Sequence, residues 1–413
     1  MTTRTTQRDD ELSLSAPRGT PLYVHLPFCE AKCHYCDFYS VPAEGQNVAG
    51  TLDAIEHEIR ERAPEHPRTV FVGGGTPSLL GIDQLKRLFG TLERRSGFSA
   101  SAREVTVECN PESLNAEKVR CLADLGVTRL SIGFQSLRAE TLELFGRVHS
   151  VAQSFRAYEA ARSVGHLQVN LDLIYAIPGQ ALSDWQADLE RILALGPDHL
   201  SAYNLTFEED TLFRRWLEQG RVRALNDEAE LEFFQWTRAR LRRAGLPAYE
   251  VSNFASNGLF CAHNVNYWHN GEYLGVGPSA VSKIRGRRFG NLKPLGEYRR
   301  RMAEGSSAEA WHEAPGPWAR LGETWWLGLR LSEGLRADEA WTRAGIPDWS
   351  DAADPALEIA RRMGDGGWLE CTEGTWRLTD RGWPLADAVA REFLRLKDHV
   401  PSAAPKALPR GLS

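Results

Sequence analysis

The chain has 413 residues, 42% hydrophobic and 25% charged, an ordinary globular composition with room for one large domain and a smaller one. A net charge of −6 removes any global electrostatic reason to bind nucleic acid or an anionic membrane. Seven unevenly placed cysteines exclude a disulfide scaffold and fit a reducing compartment. Residues 1–21 lack the apolar core of a signal peptide, and no run of about 18 apolar residues marks a membrane span, so a soluble cytoplasmic protein is expected.

Residues 1–20 read as a flexible N-terminus. Short apolar runs at 22–26, 70–72, 104–108, 129–134, 169–174 and 199–204 then alternate with helical patterns, the signature of βα units around a parallel sheet. Leu52, Ile55 and Ile59 share one helix face. So do Trp185, Leu189 and Ile192, in a helix for which Ser183 is the expected cap and Gly196 lies beyond the end. Six such units predict an α/β fold, a partial (β/α)6 barrel open on one side.

The span 227–244 reads as a further helix with Leu231, Phe234 and Leu241 inward and Gly245 as its stop. The basic stretch Lys283-Ile-Arg285-Gly-Arg287-Arg288 reads as a solvated loop. An Ala-, Glu- and Pro-rich stretch at 308–318 reads as a boundary, so residues 21–306 are assigned to the barrel and its extension. Residues 307–398 are assigned to a smaller α+β domain. There a helix around 325–331 precedes runs at 368–371 and 375–378 flanking Glu373-Gly374, a hairpin signal, and a closing helix with Leu385, Val389 and Phe393 on one face. This order predicts a winged-helix-like domain, too weakly basic for DNA. Residues 399–413 read as a flexible tail.

Just after the first run, Cys29, Cys33 and Cys36 form C-x3-C-x2-C, three thiolates placed to converge on one point. An iron–sulfur cube has four irons, so three ligands leave one iron open to an exchangeable group. The other reading is zinc, with His25 or His34 as a fourth ligand. Ligands of such barrels lie at the carboxyl ends of the strands, which directs attention to the polar residues after each run. Gly73-Gly74-Gly75-Thr76-Pro77 follows the second run, and its glycines are expected either to bring backbone N–H groups to a ligand or to form a tight turn. Glu108 ends the third run, Gln135 follows the fourth, and Arg147 sits beyond a short helix. Asp172 lies inside the fifth run, where it needs a polar ligand or a buried partner such as Arg147. A last block, Cys261-Ala-His263-Asn-Val-Asn-Tyr267-Trp268, sets an imidazole beside stackable rings.

The cysteine loop resembles that of the radical S-adenosylmethionine (SAM) superfamily, in which the open iron of a 4Fe-4S cluster chelates SAM and the reduced cluster cleaves it to a 5′-deoxyadenosyl radical. The triplet, the Gly-Gly-Gly-Thr-Pro loop, the Asp172 run and the His263 block resemble, in that order, the oxygen-independent coproporphyrinogen III oxidases and the HemW-type haem chaperones. The resemblance implies a first SAM at Tyr23, Tyr35, Gly74 and Glu108. It implies a second at Gly75, Thr76, Gln135, Arg147, Asp172 and Thr206, and haem ligation by His263 with Cys261 as the alternative. Two departures and the His263 block favour the chaperone over the oxidase: Phe38 stands where the oxidase usually has a further cysteine, few residues precede Tyr23, and His263-Asn-x-x-Tyr267-Trp268 resembles the chaperone signature. The implied partners are haem, a haem-accepting protein such as a membrane respiratory enzyme, and an electron donor for the cluster, with no nucleic acid.

Overall fold

The computed structural model describes residues 16–256, 258–347, 349–350 and 354–398. Most of residues 1–20 and all of the tail 399–413 lie outside the described residues. The rest falls into two compact units: one takes the chain to Ala248 plus Ser252–Asn266 and Gly271–Glu313, the other Tyr249–Val251, Tyr267–Asn270 and the chain from Ala314.

All six apolar runs are strands of one sheet in the first unit: β1 (Leu22–Leu26), β2 (Thr69–Gly74), β3 (Glu104–Cys109), β4 (Arg129–Gln135), β5 (Gln168–Tyr175) and β6 (His199–Asn204). Two three-residue strands not foreseen from the sequence, β7 (Asn253–Ala255) and β8 (Leu274–Val276), extend it to eight in the order β8-β1-β2-β3-β4-β5-β6-β7. Every pairing is parallel except β6 with β7. The sheet stays open, because β7 and β8 end it without pairing to each other. Val24, Val70, Val72, Val107, Leu130, Ile132, Val169 and Leu171 are fully enclosed, as expected where helices cover a parallel sheet.

The connecting helices bury the anticipated faces, with Leu52, Ile55 and Ile59 in Val48–Arg62 and Trp185, Leu189 and Ile192 in Leu182–Leu193. Three local expectations are corrected. Ser183 is the second residue of its helix, whose N-cap is Ala181 with no side-chain bond. Helix Asp227–Arg243 is capped by Asn226 and turns Phe233, Thr237 and Leu241 inward, leaving Leu231 exposed, because a helix phase set by Leu241 runs through 237 and 233. The basic stretch is a hairpin: Val281–Ile284 pairs with Arg287–Asn291, which pairs with Glu309–Glu313. Arg287 and Arg288 there form ion pairs with Glu309 and Glu313.

The second unit runs helix Pro317–Gly328, strand Leu335–Arg336, helices Ala337–Ala344 and Pro355–Asp365, then hairpin Leu369–Thr372 and Thr375–Leu378. The last strand sits between the other two, giving winged-helix topology. Its closing segment breaks into a 3-10 turn at Trp383–Leu385, helix Ala386–Arg391 and a second 3-10 stretch at Glu392–Asp398. Val389 and Phe393 are buried, but Leu385, outside the regular helix, is exposed. No helix among the described residues is long and apolar enough to cross a membrane.

Candidate functional site

The cysteines lie on a loop stapled at its base. Strand β1 runs out at Leu26, and the two-residue strands Phe28–Cys29 and Val41–Pro42 pair in parallel, so the chain between them is thrown out past the carboxyl ends of the sheet. The N–H of Val41 donates to Pro27 O at 2.8 Å and that of Ala43 to Cys29 O at 2.8 Å. Each thiol faces a donor. The Thr76 hydroxyl lies 3.5 Å from Cys29 Sγ, Arg147 Nη1 lies 3.5 Å from Cys33 Sγ, and the backbone N–H of Phe38 faces Cys36. Burial pushes the Cys29 thiol up and that of Cys36 up to about 11, and neighbouring thiols add to both.

Among the described residues no three His, Cys, Asp or Glu side chains close in on a common ion position. The three cysteines share one loop, and burial together with the neighbouring thiols favours the protonated form of Cys29 and Cys36. The donor set still fits a cube with one open iron: three soft sulfurs and no fourth protein ligand. Of the two histidines a zinc site would recruit, His25 has both ring nitrogens engaged and His34 one. His25 is held at both ring nitrogens, by Tyr23 OH and Tyr39 O at 2.9 Å each, and His34 Nδ1 bonds Leu144 O at 2.9 Å while its ring packs on Trp216.

The glycine loop works differently from the reading in which it offers N–H groups to a ligand. Gly74 N donates to Glu108 Oε2 at 2.9 Å, Gly75 N to Leu26 O at 2.7 Å and Thr76 N to Phe28 O at 2.7 Å, so all three are taken. What requires glycine is close approach. Gly74 has φ +111° and a Cβ there would lie 2.6 Å from the His25 ring; one on Gly75 would lie 2.5 Å from Phe28 O. The glycines thus seat β2 directly against the root of the cysteine loop. Burial pushes the Glu108 carboxyl up to about 7, with the Asp172 charge adding and the Gly74 bond opposing. Tyr23 lies beside it, its hydroxyl raised first by burial and then by Glu108.

Arg147 does not pair with Asp172. Its Nη2 donates to Asn110 Oδ1 at 2.8 Å and Gly133 O at 3.0 Å, besides the Nη1 contact to Cys33. Asp172 instead accepts from Ser131 Oγ at 3.0 Å and Asn170 Nδ2 at 2.8 Å. Tyr35 packs edge-on against Phe145 and feels the charges of both Arg147 and Asp172. Gln135 ends β4 with φ +62°, at an irregularity in the pairing with β5, and Thr206 is exposed just past β6. Thr76 is 3% exposed, its hydroxyl caught between Asn110 and Cys29.

Two participants escaped the sequence reading. Asn110 directly follows the third run, a position its chemistry could have flagged. Glu58 carried no signal, because it sits in a helix that reads as amphipathic. It is 1% exposed and accepts from Gly277 N (2.7 Å), Tyr298 OH (2.7 Å) and Asn291 Nδ2 (2.8 Å), tying down the loop after β8.

The His263 block lies elsewhere. Thr69 and Glu104 open β2 and β3, at the amino ends of the strands, and His263 Nδ1 bonds Thr69 Oγ1 at 2.8 Å while its backbone N–H donates to Glu104 Oε1 at 3.1 Å. The imidazole is fully buried against Phe71, and burial pushes its pKa down to about 3. Cys261 is equally enclosed, its thiol pushed up to about 12 by burial and facing Glu104. Both side chains are fully enclosed as the chain stands, so haem ligation by either one calls for the block to open. Trp268, in the second unit, lies under the Arg330 guanidinium at 4.8 Å.

Residues 23–192 match the family model described as Radical SAM superfamily. The Heme chaperone HemW of Bacillus subtilis (strain 168) is 34% identical over 90% of this chain and 98% of its own length. That of Escherichia coli (strain K12) is 32% identical over 90% and 97%. A solved coproporphyrinogen III oxidase (HemN) from Escherichia coli, described as a radical SAM enzyme, superposes with a TM-score of 0.79 at 26% identity, covering 92% of this chain and 90% of that one.

Proposed function

Because the chain belongs to the HemW family of haem chaperones, within the radical SAM superfamily, we propose that it binds haem and passes it to an acceptor protein while carrying a SAM-bound 4Fe-4S cluster. The observation that carries this reading is the near full-length similarity to HemW chaperones. Cys29, Cys33 and Cys36 would hold the cluster, whose open iron supplies the chelation site for SAM. Tyr23 and Glu108 stand beside it on the β1 and β3 side. Gln135 and Asp172, on β4 and β5, would line a second SAM with Gly75, Thr76, Arg147 and the exposed Thr206. Reduction of the cluster calls for an electron donor, and free thiols throughout the chain fit a reducing, cytoplasmic setting.

The oxidase is the second reading, favoured by the fold similarity to HemN. It requires basic groups for the carboxylates of coproporphyrinogen, and two obvious candidates are committed. Arg138 pairs with Asp184 and Asp188, and Arg147 is tied to Asn110, Gly133 and Cys33. Phe38, two residues past Cys36, is 66% exposed and offers a macrocycle an aromatic face instead.

Anaerobic reconstitution with iron and sulfide, followed by haem titration on the Soret band and a parallel coproporphyrinogen decarboxylation assay, separates the two. About one haem per monomer without decarboxylation is expected. Robust decarboxylation by a protein with no haem affinity overturns the assignment. In the same titration His263→Ala is expected to leave the midpoint unchanged, while thermal unfolding shows a loss of about 2 kcal/mol from the emptied, hydrogen-bonded core site. A lost Soret shift with intact stability would restore His263 as a ligand.

A further inference from the structure

We propose that Asn110 anchors a one-way hydrogen-bond relay, through Thr76 to Cys29 and through Arg147 to Cys33, that sets the reduction potential of the group these cysteines hold. The proposal rests on the cluster reading above. Its direction is forced by chemistry. A guanidinium only donates, so the Asn110 carbonyl must face Arg147 at 2.8 Å and its amide nitrogen must face Thr76 Oγ1 at 3.0 Å. With its oxygen accepting from Asn110, the Thr76 hydroxyl turns its proton outward, toward Cys29 Sγ at 3.5 Å. Arg147 Nη1 points at Cys33 Sγ from the other side.

The backbone of Asn110 is pinned on both sides. Its backbone N–H donates to Ser78 Oγ at 3.0 Å, and its carbonyl accepts from Ser113 N and Ser113 Oγ at 3.1 Å each. One amide therefore fixes which way two donors point at two ligand sulfurs. Donors aimed at cluster sulfurs stabilise the reduced, more negative state and raise the potential.

The test is potentiometry with mediator dyes on anaerobically reconstituted protein, without SAM, following the one-electron reduction by its spectroscopic signal. Thr76→Val removes the hydroxyl at constant shape and charge. At the wild-type midpoint its reduced-to-oxidised ratio is expected to fall on the order of tenfold, about 59 mV for one electron. Thr76→Ser keeps the hydroxyl and is expected to stay at the wild-type value. Asn110→Asp, acceptor-only, turns the Thr76 proton inward and is expected to move with Thr76→Val. A Thr76→Val potential equal to wild type, or Thr76→Ser displaced as far as Thr76→Val, overturns the relay. Wild-type protein that takes up no cluster fails the cluster reading instead.

Discussion

Protein carrying Cys33→Ser is expected to retain less than about a tenth of the iron that wild type takes up on anaerobic reconstitution, in line with the 10- to 100-fold losses that follow damage to a metal's surroundings. A serine oxygen is a harder ligand than a thiolate and poorly matched to iron–sulfur chemistry. The loss should be confined to the site. Cys29, Cys33 and Cys36 are only partly buried, and the chain from 30 to 40 contains neither helix nor strand, so far-ultraviolet dichroism is expected to stay unchanged. Cys29→Ser and Cys36→Ser should behave alike, because each removes one of three soft sulfurs from the same loop. Wild-type levels of iron and its visible absorbance in all three variants would remove the triplet from the account.

The central strands were legible because apolar residues recur in them in runs or at alternate positions, as Val105 and Val107 do in β3 and Leu130, Ile132 and Phe134 in β4. Strands β7 and β8 were not, being three residues long, with Gly275 at the centre of β8 and Asn253 opening β7. Only the sheet's open edges, a tertiary feature, make those segments extend. Helix phase failed for the same reason at Leu231: one apolar residue on a surface turn carries the same letter as one in the core.

At the site, what was legible was what is local in sequence. Cys29, Cys33 and Cys36 fall within eight residues, so their spacing alone marks them as one set of thiol ligands. The glycine loop was half-read, since Gly73-Gly74-Gly75 announces close approach but not whether the neighbour is a ligand or, as here, His25 and the Phe28 backbone. Asn110 and Glu58 draw their roles from partners far along the chain, Arg147 and Gly277 among them. His263 shows the converse. Its motif is conspicuous, yet burial at the amino ends of β2 and β3 sets it apart from the cysteine loop at the carboxyl ends.

Glu108→Gln is expected to stabilise the metal-free protein at pH 8 and to leave it nearly unchanged at pH 4. The Glu108 carboxyl titrates near 7 in the fold, mainly because burial penalises its charge, against an ordinary value of 4.5. Between those two values the folded state holds more proton than the unfolded chain, so stability falls as pH rises through that window and levels off above it. At 1.36 kcal/mol per unit, discounted for partial exposure, the loss amounts to ~2 kcal/mol by pH 8. Glutamine keeps an oxygen for the Gly74 N–H without the charge. The melting temperature of the variant should therefore exceed wild type by about 4 °C at pH 8. An equal difference at both pH values would mean that the side chain matters for shape and not for charge. If the pH dependence holds, burial of the Glu108 charge is a cost the fold carries, and a cationic ligand such as the ammonium of SAM is the kind of group that would relieve it.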